Sequence, residues 1–338
     1  MAKINQKIVV LATGGTIAGT ASSAADHTGY TAAQIGVDPL MRSVQGLQNA
    51  MQGYDLHTEQ VAQIDSKDMD FATLASLAAR CTYWLARTEV AAIVITHGTD
   101  TLEEAAYFLH CVLPADLQAA KPVVLTCAMR PATSSESDGP RNVCDAVRVA
   151  VHPQARGVLC VCAGDVHSAL QVQKVHSHAL NAFSSGDAGP VARVIDEQIS
   201  FQPLEVGFYT ENRPLTQVNP AQAAINLIVL GGKFPRVEIV LNHVNATGRI
   251  VRALLADRSD PRVPLRGIVV AGTGNGTLAS GLEAALLEAQ SQGIAVLRAS
   301  RCVWGGVSAT AKDTLPCTPL PAVKARIAMA LQLLQGAA

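Results

Sequence analysis

The chain has 338 residues, of which 49% are hydrophobic and 16% charged, so it can bury a large core and does not have the composition of a disordered protein. Its length fits about two domains, and a formal net charge of −1 provides no long-range attraction to nucleic acid or to an anionic membrane. No stretch approaches the roughly 20 apolar residues that span a bilayer. The short apolar run near the amino terminus does not resemble a signal peptide. We therefore expect a cytoplasmic protein with no nucleic-acid and no membrane partner.

Apolar runs alternate with helical patterns along most of the chain. The runs are continuously hydrophobic, which is typical of strands covered on both faces. Helical spacing appears at 101–113, 138–151 and 277–293; Thr101 and Glu104 predict a capping box at the start of the first helix. The predicted strands cover residues 8–12, 91–96, 122–126, 157–162, 237–241, 267–271 and 295–298.

This alternation predicts an α/β fold with a mainly parallel sheet. The least regular stretch is 200–234, where turn residues flank a short apolar piece, 223–230. We place the boundary there and predict a larger N-terminal domain over 1–199, a linker over 200–234 and a smaller C-terminal α/β domain over 235–338.

Three of the predicted strands are followed by glycines with hydroxyl or amide side chains beside them. They are the turns at 13–16, 96–101 and 272–277. In open parallel sheets, ligands bind beyond the carboxyl ends of the strands. These turns are therefore the candidate site.

The common cofactor and hydrolase motifs do not occur. The segment GTGNGT lacks the last glycine of a dinucleotide fingerprint, and the sequence contains no GxxxxGK[ST], HExxH or GxSxG. The eight cysteines include no CxxC pair, and we expect reduced, buried thiols. The pair His176 and His178 fits a surface strand or loop better than a metal site. We therefore expect no cofactor and no metal.

Threonine remains as the candidate nucleophile, although its hydroxyl is weak unless a base removes its proton. Asp100 follows Thr99 directly and can orient a base such as a lysine. The alternative, a turn that caps the next helix, stays open on spacing alone.

Five segments together resemble the bacterial L-asparaginases over nearly the whole chain. They are VLATGGTIAGT, VITHGTDTLEEAAYFL, IDSKDMD, CAMRPATSSESDGPRNVCDAV and GIVVAGTGNGTL. The resemblance implies a two-domain α/β subunit that assembles into a homotetramer as a dimer of dimers. It also implies hydrolysis of L-asparagine, and often of glutamine, to the acid and ammonia without a cofactor.

The resemblance assigns catalytic roles to five positions. Thr16 is similar to the nucleophile that attacks the side-chain amide, and Tyr30 to the tyrosine that helps to activate it. Thr99, Lys174 and Asp100 resemble a second, triad-like group in which a neutral lysine relays a proton. Thr99 and Asp100 also belong to the substrate-binding set.

Four further positions resemble substrate contacts. Ser66, together with Asp100, is similar to the groups that hold the α-carboxylate and the α-amino group, and Lys67 occupies the next position. Ala128 lies where the backbone of relatives meets the amide. Asn275 resembles a residue that reaches in from a neighbouring subunit.

Two departures from the family pattern bear on activity. Many relatives have glutamine or glutamate at the position of Lys67. A lysine there can repel the substrate's ammonium or favour a substrate with a masked amino group. The alternative is that Lys67 turns to solvent. Relatives usually supply a glutamate from a C-terminal loop beside the tyrosine, yet this chain has none after Glu288, and only Asp313 offers a carboxylate in 301–321.

Three alternatives to an asparaginase stay open. One is an amidase or glutaminase for another small amide. A second is a ligand-binding relative that kept the pocket and lost turnover, which the two departures support. The third, a subunit of a tRNA-dependent amidotransferase, is disfavoured by the near-neutral charge.

Overall fold

The computed structural model describes residues 6–202, 234–257 and 260–335. The chain divides into two compact units, the larger spanning 1–205 and the smaller 206–338. Each unit has its own sheet with helices, so the predicted α/β class, with a larger N-terminal and a smaller C-terminal part, is confirmed.

The larger unit is built on an eight-stranded sheet in the order β10-β9-β6-β5-β4-β3-β1-β2. The five strands from β5 to β2 run parallel, and β6, β9 and β10 are antiparallel to their neighbours. A separate antiparallel pair consists of β7 and β8. The strands are β1 Lys7–Gly14, β2 Asp55–Ile64, β3 Val90–Thr96, β4 Val123–Thr126, β5 Val158–Cys162, β6 Asp165–Ser168, β7 Gln173–Lys174, β8 Phe183–Ser184, β9 Ala192–Ile195 and β10 Gln198–Phe201.

Helices cover both faces of this sheet, which explains why the central strands are continuously apolar. One core cluster joins alternate residues of β1 and β3, such as Val10 and Val94, to Val143 and Val147 of α6. The side chains that point the other way, including Ile95, are also fully buried. The helices of this unit are α1 Val37–Ser43, α2 Leu47–Ala50, α3 Phe71–Leu85, α4 Leu102–Val112, α5 Ala115–Ala120 and α6 Gly139–Val151.

The predicted capping box is wrong. Thr101 is the N-cap of α4, but its side chain makes no capping bond. Its Oγ1 instead donates to the carbonyl oxygen of Ser66 at 2.8 Å. The hydroxyl thus ties the turn after β3 to the turn after β2, a long-range contact that the local pattern does not encode.

The smaller unit contains a three-stranded parallel sheet in the order β11-β12-β13. Val240, Ile268 and Val296 of these strands pack in a core with Leu282 and Leu286 of α8. Gly293, with a φ of +82°, follows the end of α8 as predicted. The elements are β11 Arg236–Leu241, α7 Arg249–Ala256, β12 Leu265–Gly272, α8 Ser280–Ser291, β13 Ala295–Ser300 and α9 Ala322–Gln335.

The predicted linker falls mostly outside the described residues, as does the apolar piece 223–230. Strand β10 ends at Phe201, just inside the predicted linker 200–234, and the exact domain boundaries stay predictions. All eight cysteines carry free thiols, and five of them are buried. In the described parts of the chain, every helix is too short or too polar to cross a bilayer.

Candidate active site

Three turns at the carboxyl edge of the larger sheet touch through glycine backbones. A Cβ on Gly15 would lie 2.3 Å from the Cα of Gly98, and a Cβ on Gly98 would lie 2.3 Å from Ser66 Oγ. Both separations are far below contact distance, so only glycine fits either position. The turns after β1, β3 and β2 therefore meet, and the segments carrying Thr16 and Thr99 converge.

Thr16 opens a short 3-10 turn directly after Gly15, whose φ of +83° suits glycine. The Thr16 side chain is buried, and its Oγ1 lies 2.6 Å from the hydroxyl of Tyr30. Gly19 provides room for the tyrosine, because a Cβ there would be 3.0 Å from the Tyr30 ring. The first predicted pair is thus in hydrogen-bond contact.

The loop that carries Tyr30 is folded and anchored. Its ends pair at Thr20 and Thr31, and inside it the Asp26 carboxylate accepts the backbone N–H of Gly29 at 2.7 Å. That bond, with a second from Thr28, lowers the pKa of Asp26. His27 Nδ1 lies 3.1 Å from Ser134 Oγ, which fixes the loop to the segment after β4.

Thr99, Lys174 and Asp100 form the second predicted group. The Lys174 ammonium donates to Thr99 Oγ1 at 2.9 Å and to Asp100 Oδ1 at 2.6 Å. The lysine comes from β7 of the small hairpin, with 18% of its side chain exposed, and Asp100 is 54% exposed. Thr99 itself is buried. Lys174 therefore bridges the Thr99 hydroxyl and the Asp100 carboxylate, and the carboxylate is open to solvent.

Ser66 joins this group from the end of β2. Its hydroxyl accepts the backbone N–H of Asp100 at 3.3 Å. The next residue, Lys67, points outward with 61% of its side chain exposed and pairs with Asp68 at 2.7 Å and Asp65 at 3.1 Å. These hydrogen bonds, the one to Asp68 first, raise the pKa of Lys67. The carboxylates of Asp65 and Asp68 thus counter the positive charge of Lys67, which could otherwise repel the α-ammonium of a substrate.

Ala128 lies just beyond the end of β4 and is fully buried. A Cβ on Gly139 would lie 3.4 Å from the Ala128 Cβ and 3.1 Å from Cγ1 of Ile17. Ile17 directly follows Thr16. The turn that carries Ala128 and the turn that carries the candidate nucleophile therefore pack around the same glycine.

Asn275 and Asp313, both in the smaller unit, are engaged within that unit. The Asn275 amide donates to the Ser308 carbonyl at 2.9 Å and accepts the Ser308 N–H at 2.8 Å. Asp313 accepts from the backbone of Thr310 at 2.8 Å and lies 2.7 Å from Arg298. The bond from Thr310 is the main cause of the lowered pKa of Asp313. The intersubunit role of Asn275 stays a prediction.

One histidine that the sequence analysis did not single out lies beneath the site. His97 is fully buried, and its Nδ1 is 2.8 Å from the carbonyl oxygen of Gly98. Burial lowers the pKa of His97 to about 4. By contrast, His176 Nδ1 accepts the N–H of Ala179 at 2.9 Å in an exposed turn, and the described residues contain no His, Cys, Asp and Glu cluster suited to a metal ion.

Comparison with known proteins gives matches along both units. Residues 7–205 match the family model "Asparaginase, N-terminal", and residues 236–338 match the "Glutaminase/Asparaginase C-terminal domain". The L-asparaginase 2 of Escherichia coli (strain K12) is 35% identical, with 90% of this chain and 80% of that protein covered. The L-asparaginase 2 of Bacillus subtilis (strain 168) is 33% identical, with 96% and 82% covered.

Two further relatives bear on substrate and fold. The glutaminase-asparaginase of Pseudomonas fluorescens biotype A is 35% identical, with 88% of this chain and 76% of that protein covered. The crystal structure of a probable cytoplasmic L-asparaginase from Campylobacter jejuni superposes with a TM-score of 0.83 at 34% identity, covering 97% of this chain and 95% of that one.

The contact at Gly98 predicts a steric effect on stability. Gly98→Ala places a methyl group against Ser66, and overpacking of this kind costs about 1–3 kcal/mol. Gly36→Ala is the matched control, because Gly36 has a φ of −70° and its nearest neighbours are 3.9 Å away. Urea unfolding of both variants measures the difference; equal free energies of unfolding would show that the turns are not in contact.

The buried His97 predicts a pH-dependent stability. Its folded pKa of about 4 is below the ordinary value of 6.5, so the unfolded chain takes up a proton first as the pH falls. Stability is therefore complete above pH 6.5 and falls towards pH 4, by up to about 3 kcal/mol. His97→Asn keeps a donor for the Gly98 carbonyl but does not titrate. Urea unfolding at several pH values should give a shallower slope for the variant; identical slopes would contradict the assignment.

Proposed function

The chain belongs to the asparaginase family, and from this premise we propose that it hydrolyses L-asparagine to L-aspartate and ammonia with Thr16 as the nucleophile. Both family models match, so the protein is an amidohydrolase of that family. The observation that carries the finer proposal is the contact of Gly15 with Gly98, which gathers Thr16 with Tyr30 and Thr99 with Lys174 at one edge of the sheet.

In the first half-reaction Thr16 Oγ1 attacks the side-chain amide carbon. The Tyr30 hydroxyl, 2.6 Å away, accepts the threonine proton and passes on its own phenolic proton, so that the tyrosine stays neutral. As the tetrahedral intermediate collapses, the nitrogen receives the proton that Tyr30 has passed on, the C–N bond breaks, and ammonia leaves an ester on Thr16. Backbone N–H groups of the glycine turns stabilise the oxyanion, at about 3 kcal/mol per donor.

In the second half-reaction water attacks the ester carbon, the C–O bond to Thr16 breaks, and one proton of the water ends on Thr16 Oγ1 as L-aspartate leaves. Thr99, Lys174 and Asp100 form the proton path for this step, because Lys174 contacts the hydroxyl and the carboxylate at once. A substrate that covers the partly exposed lysine removes water from it and strengthens these interactions. The division into an acyl-enzyme and its hydrolysis replaces one difficult step with two easier ones.

The polar groups around Thr99 bind the α-ammonium and α-carboxylate groups of the substrate. Asp100 offers an exposed carboxylate to the α-ammonium, and the Ser66 hydroxyl lies beside it as a donor for the α-carboxylate. The Ala128 backbone faces the amide. We propose that Asn275 completes the site of a neighbouring subunit, that the assembly is a homotetramer and that the enzyme works in the cytoplasm, as the probable cytoplasmic L-asparaginase from Campylobacter jejuni suggests.

Glutamine is the second candidate substrate, supported by the glutaminase-asparaginase from Pseudomonas fluorescens at 35% identity. A binding protein without turnover is the competing proposal. Its support is the absence of a glutamate after Glu288 together with the commitment of Asp313 to Thr310 and Arg298.

Removal of either hydroxyl tests the mechanism. Thr16→Ala and Thr99→Ala should each lower kcat for L-asparagine at least about 1,000-fold, because the groups act as a unit. Ammonia release from L-asparagine, L-glutamine and D-asparagine is the measurement. Thr82→Ala, whose hydroxyl bonds only to its own helix at Ala78, is the control. Aspartate binding by the wild type without ammonia release from any amide would establish the binding protein instead.

Lys67→Gln tests the specificity of the site. Because the ammonium is exposed and already pairs with Asp65 and Asp68, its effect on substrate binding is the weak, solvent-screened effect of a surface ion pair. We expect KM for L-asparagine to change less than about fivefold. A larger fall in KM, with a loss of activity on N-acetyl-asparagine, would show that the lysine faces the substrate.

A further inference from the structure

Asp138 directs its carboxylate away from the helix that it begins. It is the N-cap of α6, yet its side chain makes no capping bond to that helix. Its Oδ2 accepts the N–H of Met129 at 3.0 Å, and its Oδ1 accepts the N–H of Arg130 at 3.0 Å. An aspartate that caps its own helix adds about 1 kcal/mol to stability. Here that contribution is absent, and the carboxylate holds the turn after β4.

Asn142, one helical turn further along α6, holds the same turn from the other side. Its Nδ2 donates to the carbonyl oxygen of Cys127 at 2.9 Å and to Asp138 Oδ2 at 3.1 Å. Its Oδ1 accepts the N–H of Ala163 at 3.1 Å. The side chain is buried, so these bonds are shielded from water. Asp138 and Asn142 together form a clamp on residues 127–130.

The clamp bonds the backbone of Cys127, Met129 and Arg130, and Ala128 lies between these bonded residues. The carbonyl before it and the two N–H groups after it are bonded, whereas the Ala128 carbonyl oxygen accepts no hydrogen bond from the residues that the structure describes. The residue is nevertheless fully buried. A buried carbonyl without a partner is costly, and this one belongs to the residue that packs beside the Thr16 turn. It can therefore accept an N–H that a ligand brings.

We infer that Asp138 is a positioning residue: it fixes the direction of the Ala128 carbonyl towards the N–H of the scissile amide, and so favours amides over esters. The inference rests on the proposed function, since it requires an amide at Thr16. An ester of the same acid has an alkoxy oxygen in place of the nitrogen and cannot donate. The Ala128 carbonyl therefore helps the amide alone.

Asp138→Asn tests this with a side chain of the same shape. Both carboxylate oxygens accept the N–H of Met129, so whichever oxygen becomes an NH2 group, one bond to the turn is lost and the hold on the carbonyl weakens. The kcat for L-asparagine should fall about 10- to 100-fold. The kcat for the β-methyl ester of L-aspartate should change less than about threefold, because that substrate makes no such contact. The ratio of the two rates is the readout that a general loss of structure would not move.

Asp70→Asn is the matched control, because Asp70 caps α3 by accepting the N–H of Thr73 at 2.7 Å. It should leave the amide-to-ester ratio unchanged. Asn142→Ser is the second variant if Asp138→Asn does not fold, and it should lower the ratio in the same direction. Equal losses on both substrates, or an unchanged ratio in the folded variants, would overturn the inference while the proposed function stands. A wild type that releases no ammonia from any amide would overturn the proposed function itself.

Discussion

The site depends on one steric constraint, the contact between backbones at Gly15, Gly98 and the Ser66 hydroxyl. These residues follow three strands that are neighbours in the sheet, β3, β1 and β2. Parallel strands end at the same edge, but side chains normally keep their loops apart. Glycine removes that separation, so two hydroxyl-bearing turns from distant parts of the sequence approach closely. The rigidity of a sheet covered on both faces then fixes their spacing.

The polar groups on this frame are held in different ways. Thr16 meets Tyr30 through a loop anchored by Asp26 and His27, whereas Thr99 meets Lys174 through a hairpin outside the main sheet. Backbone carbonyls and N–H groups are oriented in turn by side chains further out, such as His97. Function in this molecule therefore depends on orienting ordinary groups on a rigid frame. Thr16 and Thr99 are buried, so their hydrogen bonds count for more than in water.

The sequence alone predicts the central architecture because its physical cause is local. Strands β1, β3, β4 and β5 are continuously apolar, so burial on both faces is visible in composition. Strand β2 was not predicted, because it lies at the sheet edge with a polar, half-exposed surface such as that around Glu59. The short strands after β5 carry too few residues for a pattern.

The candidate site was predictable where a motif carries it and not where a contact is long-range. The GGT and HGTD turns mark Thr16 and Thr99, and the resemblance supplied Tyr30 and Lys174. Nothing in the spacing indicates that Thr101 bonds to Ser66, because both partners have plausible local roles. Likewise the sequence places Asp138 only at the start of the helical pattern 138–151, and the folded chain alone shows where its carboxylate points.

The hairpin β7–β8 has a consequence for where this chain can be lengthened. Its backbone pairing continues past Lys174, where the Val175 N–H donates to the Ala182 carbonyl at 2.8 Å, so the hairpin is closed before its tip. Residues added at the tip do not move the lysine, and doubling the length of such a loop costs only about 0.6 kcal/mol in closure entropy. The stretch 177–181, beyond the last backbone bond to Ala182, is therefore the place in the hairpin where insertions, epitope tags or fluorophores should disturb Lys174 least.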